Sequence, residues 1–229
     1  MGAAVVVGTG GGGAEASLVK HLGSPPLVMP GTLLVEAGER LDGFSPAGVA
    51  SKVARAVADT KVSPRTCSAA AVRVPHWGTR IVTARHCADH RSLEVIDEQH
   101  QVTPVDQIDA RGDIDLAVLE MEGPIPWQGL VIRSATTVAV GERLCAWHMR
   151  RDEAGIARER ICGRVMRHQP RDGGAPLLVM NHPYPAGTSG SALVDRAGRV
   201  VGIVVASTGL TGLAEPIDEV LRLPLPRAR

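Results

Sequence analysis

The stretch PAGTSGSALVD, residues 185–195, runs directly into RAGRVVGIVVAS, residues 196–207. Ser189 sits between Gly187 and Gly190, and a markedly apolar strand follows. A turn does not need that serine. A phosphate-cradling loop would want a lysine and a following helix. The rest of the chain has to decide whether Ser189 is a nucleophile or a turn residue.

Outward from this stretch, the chain from about residue 66 reads as short β-like runs broken by Gly, Pro, Asp and Asn. SAAAVRV, TRIVTA, LEVID, LAVLEM, LVIRSA, ERLCAWHM, PLLVMN, SALVD and RVVGIVVAS are the clearest. Many short strands at close spacing predict an all-β barrel or sandwich. The exception is PIDEVLRL near the end, which reads as a short closing helix. Residues 1–65 read as an N-terminal extension, rich in Gly and Pro over 1–44. Within it, SPAGVASKVARAVAD at 45–59 predicts a short helix. Ser45 can cap it, Pro46 suits its first position, and Val49, Val53 and Val57 share a face. The run GTGGGG at 8–13 lacks the lysine of a phosphate loop and reads as a flexible tail.

Composition narrows the function classes. A chain of 229 residues with 44% hydrophobic and 21% charged residues is globular and buries a sizeable core. Aromatics are only 2%, so Val, Leu, Ile and Ala must build that core. A net charge of +1 gives no electrostatic case for nucleic acid or an anionic membrane as partner. No run reaches the roughly 18 apolar residues needed to span a bilayer. Cys67, Cys87, Cys145 and Cys162 fall into two sequence-local pairs, which suggests two disulfides, although four cysteines allow three connectivities. Without CxxC or HxxxH spacing, a zinc site is not expected. Paired cysteines point to a secreted or periplasmic setting. The N-terminus MGAAVVVGTGGGGAEAS shows no basic segment and no long apolar core of a signal peptide. These two observations pull apart, and the compartment stays open.

Two further stretches bear on Ser189. IVTARHC, 81–87, ends an apolar strand on His86, a side chain whose ordinary pKa of about 6.5 suits proton transfer near neutrality. GDIDLAVLEM, 112–121, puts a carboxylate at the mouth of another strand. Each of these stretches is ordinary alone, but together they supply three interlocking roles. A serine hydroxyl is a poor nucleophile unless a base lies within hydrogen-bond reach, and that base needs a third group to hold its tautomer. His86, Asp115 and Ser189, each at a strand edge, fit those roles. The glycines around Ser189 let the N–H groups of Gly187 and Ser189 converge as an oxyanion hole.

With these residues in view, the chain resembles the trypsin-like, chymotrypsin-fold serine proteases. TARHC is similar to the family's TAAHC-type histidine motif, DIDLAVL to its DIAL-type aspartate motif, and GTSGSALV to GDSGGPLV. The tail GLAEPIDEVL looks like the FAIPID-type ending of bacterial high-temperature-requirement proteases, a branch of that superfamily. The resemblance covers about 66–225. It implies two antiparallel six-stranded β-barrels, dividing near 125–135 at GPIPWQG, with the site in the cleft between them. It also implies a protease domain over 66–229, a protein or peptide substrate, and no cofactor or metal. A disulfide joining the histidine motif to the preceding strand is implied as Cys67–Cys87, leaving Cys145–Cys162 as the second pair. The DLAVL match favours Asp115 over Asp113. His90 reads as a surface residue, and His182 as either loop or pocket.

The chain also departs from the family pattern. Thr188 stands where digestive trypsins carry the Asp that pairs with a freed N-terminus, so other contacts or a partner must order the loop. Pro183 stands where trypsins carry a pocket Asp, and HPYPAGT holds no carboxylate. Val205, Ala206, Ser207 and Gly212 are the expected opposite wall, so a small or medium uncharged P1 residue is expected. Glu215 lies close to that wall in sequence and complicates the reading. No PDZ-like segment follows the closing helix, so PDZ-gated control is not expected; the oligomeric state is open. The competing readings are a non-catalytic binding module on the same fold, and an esterase using the same triad. The α/β-hydrolase form of the latter would need the order Ser, Asp, His.

Overall fold

The computed structural model describes residues 32–38, 65–88, 92–96, 102–110, 114–152 and 155–223. The glycine run at 8–13, the expected helix at 45–59, His90 and Asp113 lie outside the described residues. The architecture is all-β. The first sheet holds β1 (Thr32–Gly38), β2 (Arg65–Val74), β3 (Gly78–Thr83), β4 (Ser92–Ile96), β5 (Val102–Ala110), β6 (Ala117–Met121) and β7 (Leu130–Val131). Its order is β1-β4-β5-β6-β3-β2-β7. Because β1 also pairs with β2, the six strands from β1 to β2 return to their start. β1 falls inside the stretch that sequence had assigned to an extension, so this sheet draws on residues ahead of 66.

The second sheet is a closed barrel in the order β10-β13-β12-β11-β8-β9. Its strands are β8 (Arg143–Asp152), β9 (Gly155–Gln169), β10 (Leu177–Met180), β11 (Ala192–Val194), β12 (Val200–Thr208) and β13 (Thr211–Pro216). The chain therefore passes between the two sheets over 132–142. The expected short closing helix is a 3-10 helix, Ile217–Arg222. Ile217, Val220 and Leu223 recur every third residue and all enter the core, the period a 3-10 turn provides. Among the described residues no helix is long and apolar enough to cross a membrane.

Strand alternation distributes the aliphatic residues over three cores. In β2, Ala70, Val72 and Val74 face a cluster shared with Ala192, Val194, Val200 and Ile203 of the second barrel. Cys67 and Ala69, of the opposite parity, face the first sheet's interior. Leu116 and Val118 point to the shared cluster, while Ala117 and Leu119 point inward. A strand buried on both faces reads as a continuous apolar run rather than an alternating one. That is why LAVL and VVGIVV carry no polar residue. The barrels are thus joined by a buried aliphatic seam.

Candidate active site

Asp115 and His86 meet at one end of two neighbouring antiparallel strands, His86 after the exit of β3 and Asp115 before the entrance of β6, where Thr83 pairs with Ala117. β3 ends at Thr83 and turns into a four-residue helix, α1 (Arg85–Ala88), which carries His86. Asp115 lies just ahead of β6. The His86 Nδ1 lies 2.7 Å from Asp115 Oδ2, and the His86 backbone N–H donates to Asp115 Oδ1 at 2.9 Å. Arg85 N–H also donates to the Asp115 carbonyl at 3.2 Å. An ionised carboxylate only accepts, so this geometry puts the ring proton on Nδ1 and leaves Nε2 as the basic nitrogen. The carboxylate orients the ring at two points, one on its side chain and one on its backbone.

Ser189 arrives from the second barrel, on the loop ahead of β11. Its carbonyl accepts from Ser68 N–H at 2.8 Å and lies 3.9 Å from Cys87 Sγ, next to His86. The serine hydroxyl is turned to the Val205 carbonyl, 3.4 Å away, and makes no hydrogen bond to His86 among the described residues. A turn about its Cα–Cβ bond would be needed to face the imidazole. Catalytic hydrogen bonds are often long or misaligned before substrate enters.

Around Ser189 the backbone is left-handed at Gly187 (φ 90°) and Gly190 (φ 89°). A Cβ on Gly190 would fall 1.8 Å from the Ser68 carbonyl, so no other residue fits there. The N–H groups of Thr188 and Gly190 are bonded to Pro185 and Val204 carbonyls. Those of Gly187 and Ser189 have no protein acceptor among the described residues. Buried Ser68 orders this loop: besides its N–H, its Oγ donates to the Gly187 carbonyl at 2.9 Å. The Ser68 carbonyl in turn accepts from buried Thr83 Oγ1 at 2.7 Å. Such contacts can take the place of a freed N-terminus. Sequence reading missed Ser68, whose role depends wholly on a partner 119 residues away.

The disulfides pair as expected. Cys67–Cys87 (Cα–Cα 6.1 Å) ties β2 to α1 beside His86. Cys145–Cys162 (Cα–Cα 4.0 Å) joins residues directly opposite in the β8–β9 hairpin. Cys67, Cys87 and His86 are close enough for a metal, with ligand atoms within 4.8 Å. Bonded to each other, however, the sulfurs offer no thiolate.

Opposite the loop, Ser207 pairs with Gly212 across β12 and β13, and Ser207 Oγ accepts from Tyr184 N–H at 3.0 Å. A Cβ on Gly212 would meet the Tyr184 ring at 2.2 Å and the His182 carbonyl at 2.8 Å. The structure thus gathers Ser207 and Gly212 against the 182–184 segment, with Pro183 half-buried and Ala206 exposed. Val205 is buried against the first sheet's core and meets the site through its carbonyl. His182 is exposed, its Nδ1 2.5 Å from the Pro183 carbonyl. Tyr184, unnoticed in sequence, is buried, and burial pushes its phenol well above the usual range. It is the chain's single tyrosine, five residues before Ser189.

Glu215 does not point to this wall. It is three residues from Gly212 along β13, an odd spacing that turns its side chain to the face opposite the one on which Gly212 meets Tyr184. Its carboxylate reaches the first sheet, accepting from Asp115 N–H at 3.1 Å, and pairs with Arg171 at 2.6 Å. Burial outweighs the Asp115 N–H and the Arg171 charge and raises its pKa above the usual carboxylate value.

A family model described as a trypsin-like peptidase domain matches residues 67–203. No curated protein matches the chain. Among solved structures it is similar to the HtrA-type protease AlgW with tripeptide, at a TM-score of 0.61 and 16% identity, over 85% of this chain. It is also similar to the active form of the Rv3671c protease from M. tuberculosis, at a TM-score of 0.61 and 15% identity. That match covers 85% of this chain and 79% of the other. Likeness at such identity speaks for the fold. The chain spans 58% of the length of the HtrA-type protease it matches.

Proposed function

The chain belongs to the trypsin-like peptidase family and is a trypsin-like serine protease, and from that premise we propose that it cuts peptide bonds through His86, Asp115 and Ser189. The observation that carries this assignment is the two-point hold of Asp115 on His86, through Nδ1 at 2.7 Å and N–H at 2.9 Å. Ser189 Oγ attacks the scissile carbonyl while His86 Nε2 takes its proton. Asp115 steadies the imidazolium, and the open N–H groups of Gly187 and Ser189 receive the oxyanion. His86 then protonates the leaving amine, and an acyl-enzyme remains on Ser189. Water, deprotonated by the same nitrogen, hydrolyses that ester.

The pocket reading is an uncharged P1 residue of small or medium size. A buried Lys or Arg side chain needs a fixed carboxylate, because an unpaired charge costs several kcal/mol. Glu215 is engaged by Arg171 and Asp115 N–H, and the Tyr184 ring lies against Gly212. Both observations support the reading.

One experiment tests both parts. Wild type and Ser189→Ala are assayed for kcat/KM on peptides varied at P1, with fluorophosphonate labelling and peptide mapping alongside. The expected result is labelling at Ser189, preference for Ala, Val or Leu over Lys or Arg, and loss of about 10⁴-fold or more in the alanine variant. Activity of Ser189→Ala within about tenfold of wild type would sink the triad assignment. A Lys or Arg preference would sink the pocket reading alone.

A further inference from the structure

Glu215 is a buried carboxylate that the peptide-cleaving steps do not use. It sits on β13 of the second barrel, paired with Ile203, and leaves the barrel on the face opposite Ala214, which lines the barrel interior. Its Oε1 accepts from two donors: Asp115 N–H at 3.1 Å and Arg171 NH1 at 2.8 Å. Arg171 stands in the turn between β9 and β10. Its NH2 lies 3.4 Å from Glu219 Oε1 on the closing 3-10 helix, and that same oxygen accepts from Ala175 N–H and from Arg222. The far end of this chain of contacts is therefore tied to two separate elements of the second barrel.

Asp115 is held from two sides. Its carbonyl and its Oδ1 are bound by Arg85 and His86 N–H groups, both on α1. Those contacts move with His86 and cannot by themselves place the pair relative to Ser189. The contact to Glu215 runs to the barrel that carries Ser189. We propose that Glu215, fixed by Arg171, is a positioning residue for Asp115: by holding the Asp115 backbone N–H it sets the Asp115–His86 pair against the second barrel. The inference rests on the reading of Asp115 and His86 as orienter and base.

A purely structural ion pair would behave differently, because apolar replacement of both partners of a buried pair commonly leaves stability intact. A positioning acceptor leaves the Asp115 N–H unpaired when it is removed, whatever the charge state around it. Small displacements far from the reacting atoms can cost up to about a hundredfold in rate.

The test compares Arg171→Met/Glu215→Gln with Arg171→Met/Glu215→Met. Both lack the ion pair and have side chains of similar length, but the glutamine keeps an oxygen for Asp115 N–H. With both proteins assayed well below their unfolding midpoints, the glutamine form is expected to show kcat about tenfold higher, with KM within about twofold. Its low-field proton resonance for the His86 Nδ1–H bond to Asp115 should be retained, and that of the methionine form broadened or shifted upfield. Equal kcat and equal low-field signals would overturn the proposal. Glu215→Asp, which keeps the charge and withdraws the acceptor by one methylene, gives the same contrast if the methionine form does not fold. Wild-type kcat and signal in that variant would overturn it too. The resonance needs no turnover, so an inactive wild type would refute the peptidase reading while the positioning question is still answered.

Discussion

Arg133 and Arg171 each gather two carboxylates on the second barrel, and the two cations are about equally buried, with side-chain exposures of 18% and 16%. Around Arg133 stand Glu142 at 2.5 Å and Asp195 at 3.2 Å. Around Arg171 stand Glu215 at 2.6 Å and Glu219 at 3.4 Å. Asp195 also accepts from the N–H groups of Ala197 and Arg199, each at 2.9 Å, and pairs with the Arg199 guanidinium at 2.7 Å. Burial pushes Asp195 upward, but those donors outweigh it and its carboxyl sits below the usual range. Glu142 is lowered chiefly by its bond to Arg133. Glu215 has fewer donors for deeper burial, and burial leaves it raised. The same ingredients give opposite outcomes, and the supply of N–H donors decides the sign. The first cluster closes the Asp195–Arg199 turn, whereas the second reaches the N–H of Asp115, whose carboxylate bonds His86.

The largest expected effect separates the two arginines. Arg171→Met leaves Glu215, at 5% exposure, with no cation and only the Asp115 N–H, and leaves fully buried Glu219 with Arg222 and Ala175 N–H, and should cost about 3–5 kcal/mol in denaturant unfolding. Arg133→Met leaves Asp195 with Arg199 and its N–H donors, and Glu142 at 24% exposure, so about 1–2 kcal/mol is expected. Equal losses would erase the distinction. Arg133→Met should also leave kcat/KM near wild type.

Acid sharpens the comparison at smaller amplitude. Asp195 has a folded pKa below its unfolded one, so its contribution is present above about pH 4 and is lost as pH falls through the folded value. Glu215 has a folded pKa above its unfolded one. Its contribution is full below about pH 4 and is lost as pH rises through the folded value. Unfolding of wild type, Asp195→Asn and Glu215→Gln across pH 3–7 checks this. On acidification the wild type should lose its advantage over Asp195→Asn and gain relative to Glu215→Gln. Parallel curves would mean the two clusters do not differ.

The smallest effect concerns the contact that runs the other way, from first sheet to second. Ser68→Ala removes the Oγ bond to the Gly187 carbonyl but keeps the N–H bond to Ser189. About 1 kcal/mol of stability should be lost, with kcat falling and KM little changed. Tighter peptide binding with unchanged kcat would show that Ser68 does not order the loop around Ser189.

Much of the site was legible in sequence because its chemistry is carried by short local signals. A histidine leaving a strand, a carboxylate entering one and a serine among glycines each survive as strings. Their order, with the cysteines and the PIDEVL tail, was enough to expect paired barrels. The structure brings His86 and Asp115 into direct contact and Ser189 beside Cys87. Strand β1 escaped notice because TLLVEAG is a single short run among Gly and Pro, identified as sheet only by its pairing with β2 and β4. Tyr184 carries no local motif in HPYPAGT, although a lone tyrosine in an aromatic-poor chain is itself a signal.

The sequence by itself determined which side chains can do chemistry and the all-β texture, while the pairing of the cysteines came from the family resemblance. The first two properties belong to residues and their near neighbours. Tertiary structure alone decided that Glu215 faces Asp115 rather than the pocket, that Ser68 holds the Gly187 carbonyl, and that the Ser189 hydroxyl turns to Val205. Side-chain facing along a strand depends on parity, and the register shift between Val204 and Ala206 resets that parity by one residue. Contacts such as Asp115 to Glu215, 100 residues apart, form only once two barrels have closed and packed along their shared aliphatic seam.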